Sequence, residues 1–404
     1  YQATVEILGE RAQTTLVLVT RPEVSALREA DRTSHELSAL GIDNQHLVVN
    51  GVFTPDDHSD PIAIAMQQRC LAALAQMSAR LSTLPRTTVP LARRSLLGIE
   101  SLRNMGGTAS GTAQDDESVT AVAASATEPT VTSLRAIVDE LAQQHHGVVL
   151  TMGKGGVGKT SVAAAVAIGL ANKGLQVHLT TTDPAGDVTM AVAEDAVANL
   201  SVSRIDPAKV TAAYREEVMH TAGAELDDVG RALLDEDLRS PCTEEIAVFR
   251  AFAEAVAAGE DKLVVLDTAP TGHTILLLDS ALAYHREVTR QATRMPEFVE
   301  NLLPRLRDPD FTRILVVTLP ESTPVHEAAK LQDDLRRAAI EPFAWVVNQS
   351  LTPLDVTDRI LVGRQRAESP LISEVVSQYA RRTAIIPWLV DSPSGLSGLQ
   401  LMIR

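Results

Sequence analysis

The stretch GKGGVGKT, residues 153–160, sets glycines and two lysines at spacings that suit a polyphosphate. Gly153, Gly158, Lys159 and Thr160 satisfy the G-x-x-x-x-G-K-[ST] pattern of a phosphate-binding loop. Its glycines let backbone N–H groups turn inward onto phosphate oxygens, and a helix starting there adds its positive dipole end. The expected nucleotide-binding set is Gly153, Gly155, Gly156, Val157, Gly158, Lys159, Thr160 and Ser161. Lys159 is placed to reach the β- and γ-phosphates, and Thr160 to hold Mg²⁺ through its hydroxyl. Lys154 is not required by the pattern. It is either a solvated surface lysine or a cation projecting toward a facing subunit, where it would stabilise charge on the partner's phosphates as an arginine finger does. The second reading asks for two facing domains, from one chain or from a homodimer.

Two carboxylates stand at the ends of apolar runs, where α/β sites are built. Asp183, in TTDPAGD (181–187), is placed to orient or deprotonate an attacking water, and also to cap a helix ahead of Pro184. Asp267, in VVLDTAPTGHT (264–274), is placed as the Walker-B carboxylate that reaches Mg²⁺ directly or through water. The loop from Thr268 to His273 after it is placed to sense a γ-phosphate.

These residues need a parallel sheet behind them. Apolar runs at 148–152, 177–182, 262–267, 314–318, 345–348 and 384–387 read as buried parallel strands, and the segments between them are long enough for crossover helices. The expected class is α/β, a doubly wound, mostly parallel P-loop sheet over residues 146–404. Residues 187–258 carry no convincing strand and read as a helical insertion. Residues 105–132, rich in Gly, Ala, Ser and Thr and without an aromatic, have linker composition, and 105–145 is taken as the linker.

Residues before the linker repeat part of the domain after it. Sliding 16–50 onto 314–348, an offset of 298 (Asn348 against Asn50), needs no gap. Thr20, Pro22 and Glu23 fall on Thr318, Pro320 and Glu321, and Val48, Val49 and Asn50 on Val346, Val347 and Asn348. Farther on, TTVP (87–90) matches AIIP (384–387). Residues 1–104 therefore read as the last third of a second, partial copy of the same fold. The chain begins at Tyr1 rather than at Met, and is read as a fragment or a processed chain.

Composition narrows the function. A 404-residue chain suits two or three domains. A formal charge of -16 argues against a general nucleic-acid binder and against adhesion to an anionic membrane surface. Two cysteines, Cys70 and Cys242, suit a reducing cytosol rather than a disulfide scaffold. The longest apolar run, 162–171, is too short to span a bilayer.

With two lysines in its phosphate loop, the chain resembles the deviant-Walker-A ATPases. DTAPTGHT narrows the resemblance to the arsenite-pump and tail-anchored-protein-targeting branch, and DLRSPCTEEIAVF (237–249) resembles the second half of the arsenite-pump (ArsA-type) ATPases. The resemblance covers residues 146–404, with 1–104 similar to the end of that family's first half. It implies ATP and Mg²⁺ as cofactors, Lys154 acting across an interface, and Asp183 and Asp267 as the two switches. It also implies Asn348 against adenine and Pro387 flanking the base. Cys242 matches a metalloid-binding cysteine, with Ser240 and His273 as auxiliary ligands for As(III) or Sb(III), which are soft and prefer thiolate. Cys70, in QQRCLAAL, matches no ligand and reads as structural.

The expected function is then ATP hydrolysis that energises arsenite and antimonite export. The partners are a membrane permease, a metalloid chaperone and a facing ATPase half, at the cytoplasmic inner face of the membrane. The competing function is targeting of tail-anchored membrane proteins, which asks for a methionine-rich groove and a CxxC zinc clasp. The sequence has no CxxC, and within 187–258 methionine stands only at 190 and 219. A third reading, a scaffold that binds nucleotide without hydrolysis, is disfavoured by intact Lys159, Asp183 and Asp267.

Overall fold

The computed structural model describes residues 7–93, 99, 131–182, 197–268 and 297–404. Two compact units emerge. One holds Tyr1–Glu128 with Leu351–Ser369, the other Pro129–Ser350 with Pro370–Arg404.

In the first unit β1 (Leu16–Thr20), β2 (Gln45–Val52) and β3 (Arg86–Pro90) form a parallel sheet in that order. Helices Val24–Ala39 and Pro61–Ala75 make the crossovers. Leu18, Ala30, Leu47, Val49 and Leu81 close a small core. The buried Ser34 hydroxyl donates to Gln45 Oε1 at 2.6 Å, tying helix to strand. Cys70 is buried in helix Pro61–Ala75, as a structural cysteine should be. Leu351–Ser369 also belongs to this unit, although its sequence lies within the second domain. The Asp358 carboxylate and the Thr357 amide of this segment bond to residues some 300 positions earlier in the chain.

The second unit is an eight-stranded sheet in the order β4-β11-β10-β9-β5-β8-β6-β7. In chain order these are β4 (Val131–Thr132), β5 (Gly147–Met152), β6 (Val177–Thr181), β7 (Leu200–Arg204), β8 (Leu263–Asp267), β9 (Thr312–Thr318), β10 (Ala344–Ser350) and β11 (Thr383–Pro387). Every described pairing is parallel. The six expected strands are β5, β6, β8, β9, β10 and β11, and β5 and β8 are buried along their full length. Helix Lys159–Ala171 crosses one face, wrapped by Val149, Val265, Leu315 and Val317. Helix Pro241–Ala257 sets Phe249, Phe252 and Val256 against the other.

Two expectations need correction here. The region 187–258 is not wholly helical, because β7 forms the sheet's far edge. Its half-exposed Leu-Ser-Val-Ser alternation hides it from a search for continuous apolar runs. Helices Pro207–Thr221, Asp228–Asp237 and Pro241–Ala257 account for most of the rest. The linker also ends earlier than residue 145. Val131–Thr132 pairs with β11, and helix Leu134–Leu141 buries Leu134, Ile137, Val138 and Leu141 in the core.

The repeat is visible in the backbone. Helices Val24–Ala39 and Ser322–Arg337 have the same length and the 298-residue offset, as do the starts of helices Pro61–Ala75 and Arg359–Glu374. The ladders slip at matching places, after Asn50 in β2 and after Val347 in β10. Left-handed residues follow at Gly51 (φ 83) and Gln349 (φ 57). Among the described residues no helix is long and apolar enough to cross a membrane.

Candidate nucleotide site

The phosphate loop runs from the C-terminal end of β5 into helix Lys159–Ala171. Gly153 has φ 151, and a Cβ there would stand 2.2 Å from the Val317 carbonyl oxygen of the neighbouring β9. Gly158 has φ 89, and its Cβ would stand 2.3 Å from Asn348 Nδ2. Both positions combine a left-handed backbone with no room for a side chain, so the loop's shape depends on glycine. Lys159 is buried at the first turn and its Nζ donates to the Lys154 carbonyl at 3.2 Å, folding back over the loop. Lys154, Gly155 and Gly156 are exposed, Thr160 and Ser161 half-buried. A cation on the loop and the open end of a helix provide an anion site.

Asp267 ends β8 with its side chain fully buried. Thr160 Oγ1 donates to its Oδ2 at 2.7 Å, Thr181 Oγ1 to the same oxygen at 3.1 Å, and Thr151 Oγ1 to Oδ1 at 3.3 Å. The Thr182 amide donates to its carbonyl at 2.9 Å. Three strands and the helix thus converge on one carboxylate. The pair expected to serve Mg²⁺ is therefore brought together. Hydroxyl and carboxylate are hard oxygen donors, the chemistry Mg²⁺ takes alongside substrate phosphates and water. Bound there, the ion would neutralise charge between β- and γ-phosphates.

Asn348, at the C-terminal end of β10, is 4% exposed. Its Nδ2 donates to the Val157 carbonyl at 2.9 Å, and its Oδ1 accepts from the Gln349 amide at 3.0 Å. The residue expected against adenine thus also braces the phosphate loop from below. Pro387 ends β11 and pairs in register with Ser350, so both expected base-flanking residues lie at the C-terminal ends of adjacent strands.

Residues 1–110, 146–295 and 280–400 match the profile of the anion-transporting ATPases. An arsenical pump-driving ATPase of Escherichia coli is 44% identical over 402 residues, covering 99% of this chain and 68% of that protein. One from Acidiphilium multivorum is 44% identical over 401 residues, with the same coverage. The chain belongs to the anion-transporting ATPase family. ATPase GET3 of Chaetomium globosum is a more distant relative, 26% identical over 320 residues, or 68% of this chain and 92% of that protein.

The metalloid set is only partly described. Cys242 is exposed in the first turn of helix Pro241–Ala257. Ser240 caps that helix, its Oγ accepting from the Cys242 amide at 3.1 Å, so hydroxyl and thiol lie within one turn. Asp183 and His273 lie outside the described residues. Among the described residues no group of three or more His, Cys, Asp and Glu gathers to hold a metal.

Sequence reading missed the bonds that Thr151 and Thr181 make to Asp267. Thr268 Oγ1 donates to the Thr151 carbonyl at 2.8 Å, holding the residue after Asp267 to the end of β5. The available signal was a threonine closing each apolar run, in VVLTM and VHLTTT, where a buried hydroxyl needs a partner.

Proposed function

We propose that this chain hydrolyses ATP at residues 153–161 and uses that reaction to energise export of arsenite and antimonite. Lys159 and the loop amides hold the β- and γ-phosphates, Thr160 and Asp267 take Mg²⁺, and Asp183 handles the attacking water. Lys154 is exposed on the loop and reaches toward a facing half, on the same chain or a second one. Cys242 binds the metalloid with Ser240 and His273. His273 ends the loop that Asp267 begins, so metalloid and nucleotide share one switch. A membrane permease receives the cytoplasmic protein at the inner face, and a metalloid chaperone delivers the ion.

The observation that carries this reading is the Thr160–Asp267 pair beneath a glycine-dependent loop, in a chain 44% identical to an arsenical pump-driving ATPase. Tail-anchored targeting has weaker support. Its named relative is 26% identical, and no CxxC is present in the sequence. Residues 1–104 are proposed as the end of a first ATPase half, with Val17 and Val19 on a strand whose counterpart β9 pairs with the P-loop strand.

ATP turnover with and without antimonite, in this protein with its first half present and in its Cys242→Ser variant, tests the proposal. Stimulation in the parent and loss in the variant is the expected result. No stimulation in the parent removes the pump reading, and stimulation retained in the variant removes Cys242 from the site.

A further inference from the structure

Asp60 and Asp358 occupy the same position in the two copies of the repeat, each immediately before a helix. Each uses one carboxylate oxygen on its own helix. Asp60 Oδ1 accepts from the Ile62 and Ala63 amides at 2.8 and 3.1 Å. Asp358 Oδ1 accepts from those of Ile360 and Leu361 at 2.8 and 3.2 Å. The second oxygen of each goes to the other copy. Asp60 Oδ2 accepts from the Thr357 and Asp358 amides at 2.7 and 2.9 Å. Asp358 Oδ2 accepts from the Asp56 and Asp57 amides at 2.6 and 3.0 Å.

Between them the Asp57 carboxylate accepts from Ser59 Oγ and Thr357 Oγ1, at 2.6 and 2.7 Å, and these two hydroxyls are themselves repeat equivalents. A helix cap needs one oxygen and sits well in water. Here both carboxylates are buried, at 1% and 0% exposure, and the desolvation is offset only because each takes four backbone N–H donors. The second pair of bonds on each is more than capping requires.

The segment that carries Asp358 is built as one piece. It leaves β10 past left-handed Gln349 and rejoins the second unit at Pro370, inside helix Arg359–Glu374. Buried Glu368 accepts from the amides of Leu351 and Thr352 at 2.9 and 3.1 Å, and Gln365 Nε2 donates to the carbonyls of Leu351 and Leu354. Internal bonds thus stiffen the arm, while each end has a backbone irregularity: a ladder slip at one, and a proline that cannot donate to the helix at the other.

We propose that Asp60 and Asp358 form a reciprocal clasp between the two copies of the repeat, and that arm 351–369 is the joint tying the end of β10 to the first copy. The end of β10 is the point from which Asn348 braces the phosphate loop. The clasp therefore seats on the first copy the arm that continues directly from that strand.

Asparagine separates clasping from capping. In Asp60→Asn the amide oxygen still caps Ile62 and Ala63, while an NH₂ faces the Thr357 and Asp358 amides and cannot accept. Hydrogen exchange of the full chain, read on peptides resolving these amides, should show Thr357 and Asp358 exchanging about tenfold faster, with Ile62 and Ala63 still protected. Asp358→Asn should mirror this, releasing Asp56 and Asp57 but not Ile360 and Leu361. Unchanged exchange at the cross-copy amides, or loss confined to the capped ones, overturns the proposal. Should either variant fail to fold, Asp57→Cys with Thr357→Cys provides a second reading. Oxidation should yield a 57–357 disulfide in a peptide digest, and its absence counts against the clasp.

Discussion

The two copies of the strand–helix–strand repeat share a backbone and differ in what covers them. Leu315 and Val317 on β9 are fully buried beneath helix Lys159–Ala171, and β9 pairs with the P-loop strand. Their counterparts on β1, Val17 and Val19, are 52% and 66% exposed. Asn348 is buried against the loop, while its counterpart Asn50 is exposed. Buried threonines end both strands in the same manner, Thr20 donating to the Arg21 carbonyl and Thr318 to that of Leu319. The repeat thus supplies a scaffold and a poised asparagine, and chemistry arises only where a glycine loop packs on its edge.

Breaking the comparison at its strongest point means charging the matched valines. Val317→Asp should cost about 4 kcal/mol or more, since a carboxylate would be buried with no partner, while Val19→Asp should stay within about 0.5 kcal/mol. Urea midpoints of the two variants measure the gap. Similar losses would mean that β1 is covered in solution.

The asparagines come next. Asn348→Ala leaves the Val157 carbonyl without its donor, and should weaken ATP binding roughly tenfold, in line with a lost buried hydrogen bond. Asn50→Ala should leave ATP binding unchanged. Calorimetric titration of both variants separates a loop brace from a residue whose effect is general.

The smallest effect lies in acid. Asp57 is held at about 2 by the Ser59 hydroxyl, the Ser59 amide and the Thr357 hydroxyl. Burial pushes Asp60 up, but the amides of Asp358, Thr357, Ala63 and Ile62 outweigh it and hold it below the ordinary carboxylate value. Folded values below the unfolded ones mean that both contributions are fully present above about pH 4 and are lost as pH falls through the folded values. Asp57→Asn should flatten that acid limb of the stability profile, read as urea midpoints between about pH 2 and 6.

Much of this was legible in the sequence, for physical reasons. Buried parallel strands must be continuous apolar runs, so β5, β8, β9 and β10 declared themselves, and the loop's glycines marked the turn between β5 and its helix. β7 escaped because an edge strand tolerates serines, and helix Leu134–Leu141 because it follows directly on linker composition. The arm escaped for a different reason. Nothing local in LTPLDVTDRI says that Asp358 is satisfied by the Asp56 and Asp57 amides, and a cap before a helix looks the same whether its second oxygen meets water or another part of the chain. The threonines around Asp267 were visible but gave no direction, since only the sheet order brings β5, β6 and β8 side by side.

The central claim is that the second copy alone, within this chain, completes a nucleotide site. Equilibrium binding of a non-hydrolysable ATP analogue with Mg²⁺ tests it most directly. The account predicts one analogue per chain, and none after Lys159→Ala, with the unfolding midpoint in the absence of nucleotide essentially unchanged. Two analogues per chain, or full binding by the Lys159→Ala variant, would contradict it.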